Sequence, residues 1–264
     1  MAKAMVRVWD AWLARHWGLP SAQIDEFAAA QAELVRPIED DRNLPPTAAV
    51  PHDDFTPLAR ILLTERPQKV LELGTGHGNT TANICALVDA HVITVNALPH
   101  QMSGRVVTFA LTQDDIGRVY RKHGYADRVT QIFESTIAFD PDGYLPRDSV
   151  DLAIIDACHD SSFVTNDFFK VLPSLRGNAV VLFHDTHPSM ERHLAGSYRA
   201  CMQLRACGFD IRHITGTWWG FWRKPREPRR RRWRASLLRI ATRIILRLRF
   251  RPSVGIRRAL AIVS

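Results

Sequence analysis

The chain has 264 residues, 46% of them apolar, enough to bury a full core, and one large domain with appendages is expected rather than two equal halves. Its formal net charge of +8 is unevenly placed: residues 223–264 hold 15 Lys and Arg against the single acid Glu227, a net of +14, which leaves residues 1–222 at −6. The four cysteines, Cys85, Cys158, Cys201 and Cys207, form no CxxC pair and no Cys/His set of zinc spacing. A disulfide scaffold and a structural zinc module are thereby excluded, and a reducing, cytoplasmic setting is expected.

Residues 1–35 read as one or two amphipathic helices, with Val6, Trp9, Leu13 and Trp17 spaced for one face and Pro20-Ser21 as a break. Asp10 and Arg15 interrupt the apolar stretch a secretory signal needs, and no run of eighteen apolar residues occurs, so neither export nor a spanning helix is expected. RPIEDDRNLPPTAAVPHDD (36–54) is a connector without periodicity. From Phe55 the pattern turns regular: helix 56–65, strand 69–73, helix 79–88, strand 91–95, helix 113–123, strands 128–133 and 150–156, helix 162–173, strand 179–185, helix 189–206. Strands 210–215 and 218–224 then face each other across Gly216, as an antiparallel hairpin closing the sheet edge. The pattern predicts an α/β, Rossmann-like fold: a seven-stranded, mostly parallel sheet with helices on both faces and a C-terminal antiparallel hairpin. Three segments follow, a helical cap with connector (1–54), the α/β domain (55–224) and a basic tail (225–264).

ELGTGHGNTT (72–81) places three glycines at alternate positions between a strand and a helix. Such a loop lets backbone approach a ligand, with free N–H groups at the helix start. A nucleoside triphosphate loop needs Lys-Ser/Thr after its last glycine, where Asn79-Thr80 stands, and a dinucleotide GxGxxG needs glycine at 79. The spacing is Glu-x-Gly-x-Gly-x-Gly.

With that motif and strand order, residues 55–224 resemble the class I S-adenosylmethionine-dependent methyltransferases. IIDACHD (154–160) and LFHDTHP (182–188), at the ends of the fourth and fifth strands, look most like small-molecule O-methyltransferases. The resemblance implies S-adenosylmethionine as cofactor, with Glu72, Gly74, Gly76 and Gly78 against its methionyl and ribosyl parts. Asn96 stands where the family has the acid that accepts both ribose hydroxyls, and an amide should bind them more weakly by about 1 kcal/mol. Glu134 or Ser135 falls at the adenine-contacting position, and Asp156 closes the cofactor set.

Methyl transfer from a sulfonium mainly requires alignment, and a hydroxyl acceptor must also lose a proton. The carboxyl ends of the fourth and fifth strands bring Asp156, His159, His184 and Asp185 to the crevice where such folds bind ligands. Two mechanisms are open: a histidine general base, His159 ahead of His184, or a Mg²⁺ held by Asp156 and Asp185 that acidifies the acceptor. His100, His187 and His213 read as structural, Cys158 as packing, and Trp218, Trp219, Phe221 and Trp222 as strand core. The Asn/Asp-Pro-Pro-Phe/Tyr signature of base-amine methylation is missing, which lowers nucleic-acid bases as substrates. The 97–112 loop and the N-terminal helices are expected to wall the acceptor pocket.

In WRASLLRIATRIILRLRFR (233–251), Leu237, Leu238, Ala241, Ile244, Ile245 and Leu248 fall within about 120° of a helical wheel, with Arg239, Arg243 and Arg247 on another face. Three partners are open for this tail: an acidic membrane surface, which would make the protein peripheral at a membrane; RNA, through RRRRWR (229–234); or the domain or a second subunit in a homo-oligomer. Against the methyltransferase reading stand a non-catalytic adaptor on the same fold and an RNA methyltransferase guided by the tail.

Overall fold

The computed structural model describes residues 21–22, 54–101, 111–186, 195–226 and 233–249. The elements are β1 (Ser21–Ala22), α1 (Phe55–Glu65), β2 (Lys69–Leu73), α2 (Asn79–Leu87), β3 (His91–Val95), α3 (Arg118–Lys122) and β4 (Val129–Ile132). They continue as β5 (Val150–Ile155), α4 (Ser161–Val171), β6 (Leu175–Phe183), α5 (Ala195–Ala206), β7 (Arg212–Ile214), β8 (Gly220–Arg223) and α6 (Trp233–Arg249).

The strands form one sheet in the order β1-β7-β8-β6-β5-β2-β3-β4, parallel except where β8 runs antiparallel between β6 and β7. The seven strands from β2 to β8 are those expected, hairpin included. The two-residue β1 adds an eighth strand parallel to β7, so the hairpin does not form the sheet's edge. Ser21, read as a helix break, is in a strand; the other residues of the expected N-terminal helices lie outside the described residues.

Alternation along each strand sorts the core into two layers. Val70, Val92, Leu152, Ile154, Val180 and Leu182 face α1 and α2, meeting Leu58, Ile61, Leu62 and Ile84. Leu71, Leu73, Val95, Ala153, Ile155, Val181 and Phe183 face α4 and α5, meeting Val164, Phe168, Ala200 and Leu204. Phe168 anchors this layer edge-on to Phe209 and Trp222, with ring centroids 4.8 and 5.3 Å apart. Ala235 of α6 joins the same cluster, and Leu238 packs against it. Helix α6, within the basic tail, is thus laid over α4.

Two elements differ from expectation. The helix expected over 113–123 is helical only from Arg118, because the Gly117 and Val119 N–H groups donate to the Gly76 and His77 carbonyls (3.0 and 2.9 Å), docking a turn onto the glycine loop. Strand β6 begins at Leu175 rather than 179, since the polar stretch Arg176-Gly177-Asn178, which lacks apolar alternation, continues the strand in exposed form.

Candidate active site

The chain runs β2, β3, β4 to one side of the sheet and returns through β5 to the other, so the order reverses between β2 and β5. Ligands of open α/β sheets bind at the carboxyl ends of the strands at such a point. Gly74 follows β2 there and Asp156 follows β5. They touch through backbone: a Cβ on Gly74 would lie 2.0 Å from the Asp156 carbonyl oxygen. Gly76, at φ 50, faces open space, with nothing within 4 Å of such a Cβ. A Cβ on Gly78 would meet Gly117 and Tyr120. The first and third glycines therefore serve close packing, and the middle one leaves room.

Glu72 lies beneath this loop, buried on the face toward α2. Its Oε2 accepts from the Thr81 and Thr94 hydroxyls, both at 2.5 Å, while Oε1 is buried without a partner. Burial pushes the carboxyl up to about 7, against the lowering effect of the two threonines. An orphaned carboxylate oxygen suits an ammonium donor, and the space beside Gly76 suits a ligand crossing the loop; the arrangement fits an S-adenosylmethionine-like group.

Asn96, one residue past β3, has its side chain engaged. Its Oδ1 accepts from the Gly76 N–H (3.1 Å) and its Nδ2 donates to the Ala97 carbonyl (2.9 Å). The amide therefore fastens the glycine loop to β3. At the end of β4, Ser135 Oγ accepts from the Ala138 N–H in a tight turn, and Glu134 lies near Lys170, whose charge it supports. Lys170 donates to the carbonyls of Thr136, Ile137 and Phe139 at 2.8, 2.6 and 2.5 Å, holding this loop on α4.

On the β5 and β6 side, Asp156, His159, His184 and Asp185 come together as expected. His159 Nε2 lies 2.6 Å from Asp185 Oδ2 and 3.6 Å from Asp156 Oδ1. His184 Nδ1 lies 3.3 Å from both Asp156 Oδ1 and Asp185 Oδ1, and its Nε2 lies 3.1 Å from Asp54 Oδ2. Asp185 reaches both rings from a left-handed backbone at φ 56, a conformation aspartate tolerates better than most residues. Burial opposes the His159 charge, yet the Asp156 and Asp185 carboxylates lift it to about 9. The same pair holds His184 well above its ordinary value despite burial. Burial likewise pushes Asp156 and Asp185 up, but the charge of His184, with hydrogen bonds from both histidines, brings both below the usual carboxylate range.

Asp160 is turned away from this group: its Oδ1 accepts from the Ser162 N–H (2.9 Å) and hydroxyl and caps α4. The ligand atoms of Asp156, His184 and Asp185 lie within 4.8 Å of one another, a spacing that fits one metal ion. His213 is buried, its Nδ1 3.0 Å from the Thr186 hydroxyl, and Trp219, Phe221 and Trp222 are core. His100 is exposed, while His187 and residues 102–110 of the expected pocket wall lie outside the described residues.

Sequence reasoning missed Asp54. Besides meeting His184, its Oδ1 accepts the Trp218 N–H (3.0 Å) and its carbonyl accepts the Trp219 indole N–H (2.8 Å). No local signal marks it, since it ends a polar connector 130 residues before its partner. Thr94 was findable, as the β2–β3 register sets it directly opposite Glu72.

Residues 71–186 match a family model described as a methyltransferase domain. Among solved structures, a methyltransferase from Podospora anserina bound to SAH is 13% identical, with a TM-score of 0.53 over 86% of this chain and 97% of that one. A protein from Staphylococcus aureus assigned as a caffeoyl-CoA O-methyltransferase is 14% identical, with a TM-score of 0.52 over 76% and 97%. The O-methyltransferase TomG from Streptomyces achromogenes, in complex with SAM, is 17% identical, with a TM-score of 0.47 over 81% and 93%. At these identities the likeness to the first two is one of fold. No curated protein matches the chain significantly in sequence.

Proposed function

We propose that this chain, whose residues 71–186 match a methyltransferase domain, is a class I S-adenosylmethionine-dependent enzyme that methylates a hydroxyl of a small-molecule acceptor, with His159 as general base. The observation that carries this reading is the 2.6 Å contact between His159 Nε2 and Asp185 Oδ2, just past the carboxyl ends of β5 and β6. S-adenosylmethionine, when bound, supplies an electrophilic methyl group on a sulfonium. Glu72, Gly74, Gly76 and Gly78 would hold its methionyl and ribosyl parts, Asn96 would contact the ribose with the one oxygen it has, and Glu134 or Ser135 would lie toward the adenine, with Asp156 beside them.

With Nε2–H donated to Asp185, the neutral His159 tautomer keeps its lone pair on Nδ1, which takes the acceptor's hydroxyl proton. The imidazolium so formed stays hydrogen-bonded to Asp185, with Asp156 close by. His184 is the poorer base, because both its nitrogens already face carboxylates.

A second reading is favoured by the spacing of Asp156, His184 and Asp185. These residues would hold a Mg²⁺, which would supply Lewis acidity toward the acceptor hydroxyl. In that case His159 orients Asp185 rather than taking the proton.

Calorimetric titration with S-adenosylhomocysteine, followed by methyl-transfer assays over a panel of phenols and alcohols, tests the proposal. Micromolar binding and turnover that survives chelator support the base. Turnover lost in chelator and restored by Mg²⁺ moves the chemistry to the second reading, and a folded protein that does not bind S-adenosylhomocysteine sinks both. In this reading α6 takes no part in methyl transfer and serves a separate contact.

A further inference from the structure

Helix α6 is divided lengthwise into three strips. Ala235, Leu238, Thr242 and Leu246 form the strip turned to the core, of which all but the half-buried Leu238 are buried. Leu237, Ile240, Ala241, Ile244 and Ile245 form a second strip in solvent, with Leu237 57%, Ile240 56% and Ile244 53% exposed. The wheel centres it about 130° from the first. Leu238, expected on this apolar face, instead packs against the core cluster, and Ile240 takes its place in the exposed strip. Arg239 and Arg243 form the third strip, exposed and next to Lys170 in a shallow cleft that Asn166, Phe169 and Thr242 complete. Lys170 spends its donors on three carbonyls and has Asp167, Asp140 and Glu134 near its charge, so the charge the cleft offers is that of the two arginines. Residues 233–249 contain no acid, and neither arginine has an acidic partner among the described residues.

We propose that α6 is the docking face for an acidic phospholipid surface, with Arg239 and Arg243 on lipid phosphates and the Leu237–Ile240–Ile244–Ile245 strip in the acyl boundary. Both chemistries are needed at once, on the two shoulders of about 12 Å of helix, and a bilayer interface offers acyl boundary for one and phosphates at headgroup level for the other. A second copy fits less well, since a contact through this strip would cover its apolar residues and leave the two arginines without an anionic partner. Nucleic acid would match the arginines but finds no aromatic platform in a strip of Leu, Ile and Ala. No helix among the described residues is long and apolar enough to cross a membrane, and α6 would lie flat. The inference does not rest on the methyl-transfer reading.

The test is co-sedimentation of the full chain with vesicles of phosphatidylcholine alone or mixed with phosphatidylglycerol, at low and high salt. The expected result is partition onto the mixed vesicles only, weakened by salt. Arg239→Gln with Arg243→Gln should weaken it about thirtyfold, and Ile240→Ser with Ile244→Ser about tenfold or more. All four positions are exposed, so circular dichroism and S-adenosylhomocysteine binding should match wild type in both variants. Equal partition onto both vesicles, no partition, or partition unchanged in either variant overturns the proposal. So does dimerisation abolished by the isoleucine pair, which would make a second copy the occupant, or RNA binding lost in the arginine pair without vesicle binding.

Discussion

His159 and Asp185 meet at 2.6 Å although Asp185 sits in a left-handed backbone, which costs about 1–3 kcal/mol for a residue other than glycine. The contact is therefore sustained by its surroundings: the β5–β6 pairing, which sets Ile155 against Phe183, and the His184 ring on the other side of the carboxylate. If His159 is the base, His159→Gln should lower turnover about 100-fold or more while leaving S-adenosylhomocysteine affinity near wild type. The base form lacks the proton, and His159 is lifted to about 9, so wild-type turnover should climb from pH 7 toward pH 9. A flat profile across that range, in metal-free buffer, argues against the assignment.

The two glycines that flank Thr75 should respond differently to a side chain. Gly74→Ala drives a methyl group into the Asp156 carbonyl and should destabilise the fold by about 3 kcal/mol, visible as a lowered melting temperature with or without ligand. At Gly76 an added Cβ has no protein atom within 4 Å, and asparagine tolerates left-handed backbone, so Gly76→Asn should change the melting temperature of the free protein little. Its side chain fills the space left for a ligand. Titration with S-adenosylhomocysteine should show at least a tenfold loss, and unchanged affinity would mean that the ligand does not cross Gly76.

Asn96→Asp keeps the oxygen that accepts from Gly76 and exchanges the donor to Ala97 for a second acceptor. If the ribose lies here, the added acceptor should tighten S-adenosylhomocysteine binding by about fivefold, equal to about 1 kcal/mol. Weaker binding in the variant would place the ribose elsewhere.

Glu72 makes stability depend on pH. Its folded value of about 7 stands above the ordinary 4.5 because burial favours the neutral acid. A raised folded value means that this contribution is complete below about pH 4.5 and is lost as pH rises through about 7. From about pH 4.5 to pH 8 the ligand-free protein should lose stability, by at most about 3 kcal/mol from this residue, about 1 kcal/mol of it above pH 6. Glu72→Gln keeps an acceptor for Thr81 and Thr94 and should remove most of that slope in thermal melts; Asp167, also buried and pushed up to about 7 by burial, would supply what remains. A variant with the wild-type slope would show that Glu72 is not its source.

The strands were legible because their apolar runs are continuous and bounded by turn residues, and the glycine loop because its spacing is local. The convergence of Asp156, His159, His184 and Asp185 could be foreseen from two strand ends that a parallel sheet must place side by side. Other features depend on long-range packing that leaves no local pattern. Asp54 acts through the turn before β8. Asn96 carries a side chain whose type suggested a ribose contact and whose geometry binds Gly76. In α6 the wheel placed an apolar arc but could not tell which edge of it the core would take, and Leu238 was drawn inward while Ile240 stayed out.

The tie between Asp54 and the Trp218–Trp219 turn also sets a limit for protein engineering. A version of the chain trimmed for expression to the start of α1 at Phe55 would leave a tryptophan indole, a backbone N–H and His184 Nε2 without the acceptors they use here. Unmet donors of this kind cost about 1–3 kcal/mol each when buried. A shortened protein that begins before Asp54 keeps all three, and by that criterion the boundary for crystallisation or display lies upstream of the connector's last residue.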